Sequence, residues 1–355
     1  MAITAMTNDP SPPRPPIIRR LLGLLRFRLA WLFVATTAIA IFLAAKYHRE
    51  PIGRANLDRL QKLDEIERDV FRLVWSDDRS RVAFVGWEMP VDIRETVTLW
   101  PVRTHGAGRK IIEFAFSPDE NVVAWTENGR PVEIHNLKSG KFLALDTGTD
   151  QCDLDFSPDG RLLAVGGYHL GAMIVSAADG RLVHKLDTGA GLHGGMTLCF
   201  SPDGKVLAAG NRNYATRLFD VASGQLLHVL DKPQSHGLAF HPSGKMLAIG
   251  YATGEVRVWD VATGKLLHEA VPGAEEIYSV DWSPNGELLV SSGKLTDICV
   301  WSPELALLRR LPAEEWVISV KFSPNGSRLI SAGGGDTIGE SRSVTIWGVP
   351  AALLR

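Results

Sequence analysis

The sequence predicts an all-β protein, a seven-bladed propeller of four-stranded blades, preceded by one N-terminal transmembrane helix. Three observations carry that expectation. A pentapeptide of the form FSPDG returns at near-constant intervals, each interval holds four short apolar runs between turn signals, and one long uncharged run stands near the N-terminus. At 355 residues, 45% hydrophobic and 22% charged, the composition is that of a folded globular chain.

The net charge of -2 hides an asymmetry: residues 1–66 hold ten Lys and Arg against five Asp and Glu, leaving 28 against 35 for the remainder. The leading segment is therefore +5 and the body -7. A body of that sign argues against a nucleic-acid partner, because phosphate binding needs a basic surface. Cys152, Cys199 and Cys299 are too few for a disulfide framework and too widely spaced for a metal site. Free cysteines of this kind are usually small buried apolar residues.

Residues 1–28 read as a basic, Pro-rich disordered tail, with NDPSPPRPP at 8–16. The uncharged run LAWLFVATTAIAIFLAA, 29–45, follows. At 1.5 Å per residue it spans about 25 Å, near the lower limit for crossing the hydrocarbon core. Trp31 and Tyr47 sit near its ends, where amphipathic rings suit the interface. The expectation is an uncleaved signal anchor. The alternative is a cleaved signal peptide, since Ala38-Ile39-Ala40 spells an acceptable cleavage site. Five Arg precede the run and five Lys or Arg follow within twenty residues, so the count alone sets no orientation. Arg19, Arg20, Arg26 and Arg28 crowd the N-terminal side, which favours a cytoplasmic N-terminus and a propeller on the non-cytoplasmic side. Cleavage would instead give a secreted or periplasmic protein.

Residues 46–66 form a linker. Leu57, Leu60, Leu63 and Ile66 recur every three residues, as in a short amphipathic helix.

The propeller is expected over 67–355. The pentapeptide reads FSPDE at Phe116, FSPDG at Phe156 and Phe200, FHPSG at Phe240, WSPNG at Trp282 and FSPNG at Phe322, with a degenerate WSDDR at Trp75. Successive intervals are 41, 40, 44, 40, 42 and 40 residues. In each unit an apolar strand ends in the aromatic, and the Pro-Asp-Gly type turn reverses the chain. A second strand follows, such as RLLAVGG from Arg161, then an alternating third, such as VRVWD from Val256. Ser-Gly or Thr-Gly introduces the fourth, QLLHVL from Gln225 or KLLHEA from Lys265. Four strands per roughly 40 residues make one propeller blade, and stacking blades around a ring builds the core.

At VWDVATG and LFDVASG, with the SPDG turns, the chain resembles the WD-repeat β-propeller family over about four-fifths of its length. The family's Gly-His dipeptide is missing from most blades, and the turn Asp is absent from YATGE and GKLTD, so its hydrogen-bonded tetrad is incomplete. The resemblance implies an interaction scaffold and no cofactor. Two closures of the ring stay open. The terminal GVPAALLR resembles SPELALLRR after Trp301 and can supply the last strand, or DRLQKLD, 58–64, can lie on the last blade's outer edge.

Candidate chemistry is sparse. His184, His228 and His268 share one repeat position, but blades related by about 51° at a radius near 20 Å separate them by roughly 17 Å. Zinc needs ligands at about 2 Å, so they read as solvent-facing repeats. Gly334–Ser341 nearly spells a phosphate loop but puts Glu340 where Lys belongs and feeds a strand. Ser291 and Lys294 fit a Ser-x-x-Lys spelling without companion motifs. Glu113, Asp153, Asp155 and Asp281 are the acidic residues of innermost strands and show no converging set.

The function expected is a membrane-tethered scaffold that binds a protein or peptide through the propeller's top face. The alternative is a lactonase-like hydrolase or a ligand sensor using the central channel. In WD-repeat relatives the second-to-third-strand loops and those before the innermost strand share that face. Two such loops are long, WEMPVDIRE at 87–95 and GGGDTIGESRS at 333–343, in blades that become neighbours on closure. They propose a lip of Trp87, Met89, Arg94, Asp336, Glu340 and Arg342, extended by Tyr278 and Trp316. No catalytic, metal or cofactor residue is expected.

Overall fold

The computed structural model describes residues 51–349, apart from 68–69, 71, 77–80, 87–89, 96–100, 106–108, 128–129, 146, 148–151, 168–170, 190–195, 212, 231–233, 295–296, 314–315 and 335–342. They fall within the unit Arg49–Ala352. The expected tail and anchor, residues 1–45, lie outside the described residues. Among the described residues no helix is long and apolar enough to cross a membrane.

The strands form seven antiparallel four-stranded sheets. Their innermost strands are Arg72–Trp75, Ile111–Phe116, Cys152–Phe156, Met196–Phe200, Ser235–Phe240, Ile277–Trp282 and Trp316–Phe322, which define blades 1 to 7. Blade 3 shows the grammar: Cys152–Phe156, Leu162–Gly167, Gly171–Ser176 and Leu182–Leu186, paired in that order. Between its first two strands, the Ser157 hydroxyl donates to Asp159 Oδ1 at 2.7 Å and accepts the Leu162 N–H at 3.0 Å. Asp159 also accepts the Arg161 N–H at 3.1 Å. Ser117 with Asp119, Ser201 with Asp203, Ser283 with Asn285 and Ser323 with Asn325 repeat the contact. In blade 2 the last turn position, Gly in blades 3 to 7, is Glu120 at φ 53, the left-handed region that costs a side chain strain.

The last blade settles its own closure. Its strands Trp316–Phe322, Arg328–Gly334 and Ser343–Gly348 are completed by Gln61–Glu67, from the N-terminal side. The ring therefore starts before residue 67. Gln61 stands opposite Gly348, and a bulge falls between Lys62 and Asp64. Ahead of this strand, Arg54–Arg59 is a short 3-10 helix of about two turns. The Ile52 N–H donates to Gly326 O at 2.7 Å, so the chain enters the ring on the face of the first-hairpin turns. Ile52, Leu57 and Leu60 are buried among Leu288, Ile298, Leu329 and Trp347 at the blade 6–7 junction. Burying one such side chain contributes about 1.5–3 kcal/mol, as an upper bound.

The core is divided in the same way all round. Seven apolar clusters each join two adjacent blades. Leu163 and Val165, for example, pack with Ala124 and Ile134 of blade 2, whereas Ala164 and Ile174 pack with Leu198 and Leu207 of blade 4. Period-two alternation on the second strand thus buries both of its faces.

The outer-strand histidines differ from the sequence expectation. They are half-buried, and the ring of His184 meets Ala222 O of the next blade at 3.1 Å, as His228 meets Ala262 O at 2.9 Å. Each Nε2 must donate, a carbonyl being acceptor only. His184 and His228 latch blade to blade instead of simply facing solvent.

Val91–Glu95 is the third strand of blade 1, because Val91 and Ile93 are buried against blade 2. The expected long loop at 87–95 is shorter by that strand, and Arg94 belongs to it.

Candidate functional site

Each innermost strand has one edge paired to its blade and the other turned to the central channel, where unpaired backbone groups need partners. The channel, about 760 Å³, is lined by innermost strands from all seven blades. Three residues before each aromatic lie Arg72, Glu113, Asp153, Thr197, Gly237, Ser279 and Ser319; one residue before it lie Val74, Ala115, Asp155, Cys199, Ala239, Asp281 and Lys321. Alternation turns both layers towards the next blade and the channel.

Blades 1 to 4 use the first layer as a charge relay. Arg72 Nε lies 2.7 Å from Glu113 Oε1, and Arg72 Nη2 lies 2.8 Å from Asp153 Oδ1. Asp153 Oδ2 then accepts the Leu198 N–H of blade 4 at 2.6 Å. Of the four carboxylates expected not to converge, Glu113 and Asp153 do meet on Arg72, in a cluster already charge-paired, whereas Asp155 and Asp281 cap separate strands. Burial pushes the Glu113 carboxyl well above its usual range, against the pull of Arg72. For the Arg72 guanidinium burial works the other way, yet Glu113 and Asp153 hold it more firmly protonated than usual.

The second layer caps edges too. Asp155 Oδ2 accepts the Phe200 N–H at 2.6 Å, and Asp281 Oδ2 accepts that of Phe322 at 2.7 Å. Burial raises Asp281, with Lys321 Nζ opposing from 3.4 Å. Burial, helped by Asp155, pushes the Cys199 thiol up to about 12, so at neutral pH it is not a thiolate nucleophile. Cys199 and Cys299 are both free thiols. Among the described residues no group of three or more His, Cys, Asp or Glu is arranged to hold a metal ion. Ser291, of the Ser-x-x-Lys spelling, accepts the Trp301 Nε1–H at 2.9 Å.

Blades 5 to 7 treat the channel differently. Their first-layer residues are Gly237, Ser279 and Ser319, and above them stands a row of rings. His236 and Tyr278 meet edge to face with centroids 5.6 Å apart, and Tyr278 lies 6.4 Å from Trp316. Lys294 Nζ sits 4.8 Å over the Trp316 ring and 2.8 Å from Glu275; that hydrogen bond raises its pKa. His236 Nε2 lies 3.7 Å from Glu276 Oε2. Tyr278 and Trp316 are half-buried.

The structure thus brings Tyr278 and Trp316 together, on the face opposite the chain's entry at Ile52. Arg94 is elsewhere: its side chain is 12% exposed, paired with Asp92 at 2.9 Å and laid over Phe84. Trp87, Met89, Asp336, Glu340 and Arg342 lie outside the described residues. Sequence reasoning missed His236 and Arg72. Aligning the seven units on their aromatics would have shown both, since His236 and Tyr278 share a column four residues before it, and Arg72, Glu113 and Asp153 another.

Residues 231–285 are similar to the family described as the anaphase-promoting complex subunit 4 WD40 domain, and residues 306–347 to the WD domain, G-beta repeat. The first span holds blade 5 and the innermost strand of blade 6. The second holds the outer strand of blade 6 and the first three strands of blade 7. No curated protein matches the chain at a significant level. Repeats of this kind typically build protein-interaction scaffolds and usually carry no enzymatic activity.

Proposed function

We propose that this propeller of WD40 repeats is a membrane-tethered scaffold that holds a protein or peptide partner on the face bearing His236, Tyr278 and Trp316. The observation that carries the reading is that row: three rings in consecutive blades, half-buried, beside an open channel mouth. Large rings at the centre of a polar surface are what interface hot spots are made of. The channel carboxylates are occupied by backbone N–H groups and by Arg72, which leaves a hydrolase no free acid–base pair in the described channel. We extend the same reading to a lip of Trp87, Met89, Asp336, Glu340 and Arg342, for which the support is the sequence alone: two second-to-third-strand loops longer than their siblings.

The tether is the run 29–45, with the propeller on the non-cytoplasmic side; its support is the sequence alone. A reporter fused after Arg355 is expected to be active only when exported. A mature chain beginning near Ile41 would replace the anchor by a cleaved signal peptide. For the face, a Tyr278→Ala, Trp316→Ala double variant should keep its melting temperature within a few degrees and lose the partner that the unaltered chain captures from native membranes. Undiminished capture would overturn the assignment.

A further inference from the structure

Blade 7 leaves a groove open where its neighbours are filled. Between blades 6 and 7 lies a cavity of about 620 Å³, with a floor of Ser331, Gly333 and Thr345 and walls of Leu311, Val317 and Trp347. Blade 5 has Ile249, Tyr251 and Arg257 at the floor positions, since Ile249 stands opposite Arg257 as Ser331 stands opposite Thr345. Tyr251 is fully buried among side chains of blade 4, and Arg257 lies 5.6 Å over its ring. Blade 6 also has small residues there, Ser291, Gly293 and Cys299. Arg310 of its outer strand lies against Cys299 and reaches Pro272 O at 2.9 Å, which fills the space. In blade 7 the residue in the place of Arg310 is Glu65, opposite Thr345. Its carboxylate is held by Lys62 at 2.9 Å and Ser343 at 2.8 Å, within its own blade.

The same blade is followed by an apolar segment whose usual edge is taken. Residues 352–355 spell ALLR, as residues 306–309 do, starting five residues after Trp347 and Trp301 respectively. In blade 6 that sequence runs into the outer strand Leu307–Pro312, whereas in blade 7 the matching edge is held by Gln61–Glu67. Residues 350–355 lie outside the described residues. Val349, just before them, is fully buried in one cluster with Leu57, Leu60 and Trp347. Leu60 and Trp347 also line the groove, so the segment starts at the groove's mouth.

We infer that residues 350–355 fold back into this groove, with Leu353 and Leu354 against Leu311, Val317 and Trp347, and so clasp the seam between blades 6 and 7. Four residues at about 3.3–3.6 Å each carry Leu353 up to about 14 Å from Val349. The floor from Trp347 to Ser343 is about 14 Å of strand, so the reach matches. A tether this short holds the segment at an effective concentration on the order of millimolar, ahead of any free peptide of the same kind. Neither the partner-binding face nor the membrane tether bears on this clasp.

Thiol labelling of the full-length chain reads the clasp, with the unaltered chain giving the background of the native free thiols. Leu353→Cys should react at least about tenfold more slowly than Leu307→Cys. Leu307 holds the matching position of blade 6 and is 44% exposed. Writing Gly333→Tyr and Thr345→Arg into the Leu353→Cys chain copies the filled floor of blade 5. A Cβ at Gly333 makes only ordinary contacts, 3.5 Å from Trp316 O and 3.7 Å from Ser343 O. The filled chain should label as fast as Leu307→Cys. In a separate measurement, Leu353→Asp with Leu354→Asp should lower the melting temperature by a few degrees. Labelling of Leu353→Cys as fast as Leu307→Cys would overturn the inference, and so would an unchanged melting temperature. Protection that survives the filled floor, in a variant with unaltered circular dichroism, would overturn it too and place the segment elsewhere, such as the outer edge of Gln61–Glu67. Protection that grows with protein concentration would replace the clasp by a segment from a second copy of the chain.

Discussion

Arg72 Nη2 lies 2.8 Å from Asp153 Oδ1, a contact between the innermost strands of blades 1 and 3 that passes over blade 2 and its Glu113. Replacing Arg72 by Met leaves two carboxyls, 7% and 6% exposed, facing each other without a countercharge. Breaking a buried pair costs about 3–5 kcal/mol. Because Arg72 is itself 37% exposed, a loss of about 2–3 kcal/mol is expected after solvent screening. Urea unfolding at pH 8 should show it, and the deficit should shrink at pH 4, where the bared carboxyls take up protons.

Glu113 supplies a pH test of its own. Its carboxyl is raised in the folded state, so its contribution is fully present below the unfolded value of about 4.3 and is lost as pH rises through the higher folded value. Glu113→Gln does not titrate. The stability difference between variant and unaltered protein should therefore move in the variant's favour from pH 4 upward and then level off. A difference constant with pH, read from melting temperatures at pH 4, 6 and 8, would refute the raised value.

Gly140 and Gly224 occupy the same turn in blades 2 and 4 with φ of 68 and 70. A Cβ at Gly140 meets nothing within 4 Å, whereas at Gly224 it would stand 2.8 Å from Cγ of the latching His184. Gly140→Ala should cost only the left-handed strain of about 1–2 kcal/mol. Gly224→Ala should cost clearly more, and His184→Ala in the same chain should bring it back towards the Gly140→Ala value.

Three third-strand tryptophans separate hydrogen bonding from burial. Trp301 and Trp347 donate through Nε1 to Ser291 and Ser331 at 2.9 and 3.0 Å. Trp259, equally buried, has Ile249 where the serine would be, and its Nε1 has no partner. Trp→Phe at 301 or 347 leaves a buried hydroxyl unpaired; at 259 it removes an unpaired donor. The first two substitutions should cost about 1–2 kcal/mol more than the third. Phe219 already stands at this position in blade 4.

The ring was legible because each blade repeats one pattern, from the Phe156 turn to the third strand at Trp259. Its closure was not. Leu57, Leu60, Leu63 and Ile66 spell a helical spacing equally well, yet only Arg54–Arg59 turns helically, and the bulge between Lys62 and Asp64 disguises the strand's alternation. The site was half legible. Tyr278 and Trp316 stand out as rings near the starts of innermost strands. Arg72 and Asp153 lie 81 residues apart, and nothing local in either neighbourhood announces a shared ion pair. The outer histidines misled because one sheet in isolation says nothing about the blade packed beside it.

The closing strand also imposes an order of events on synthesis. Gln61–Glu67 leaves the ribosome first among the ring's strands, and its partner Ser343–Gly348 last. About 280 residues separate them, which at roughly 5–20 residues per second is a wait of about a quarter of a minute to a minute. Six blades have all their strands before the seventh can close. Through that interval QKLDEIE stays a lone, unpaired segment, and its Lys62, Asp64, Glu65 and Glu67 suit the wait. The outer strands that fold at once onto a waiting blade carry exposed Leu226 and Leu227, or Leu266 and Leu267, in the same role. A strand that must linger is written in charges, which keep it from pairing with a neighbouring nascent chain before its own ring is complete.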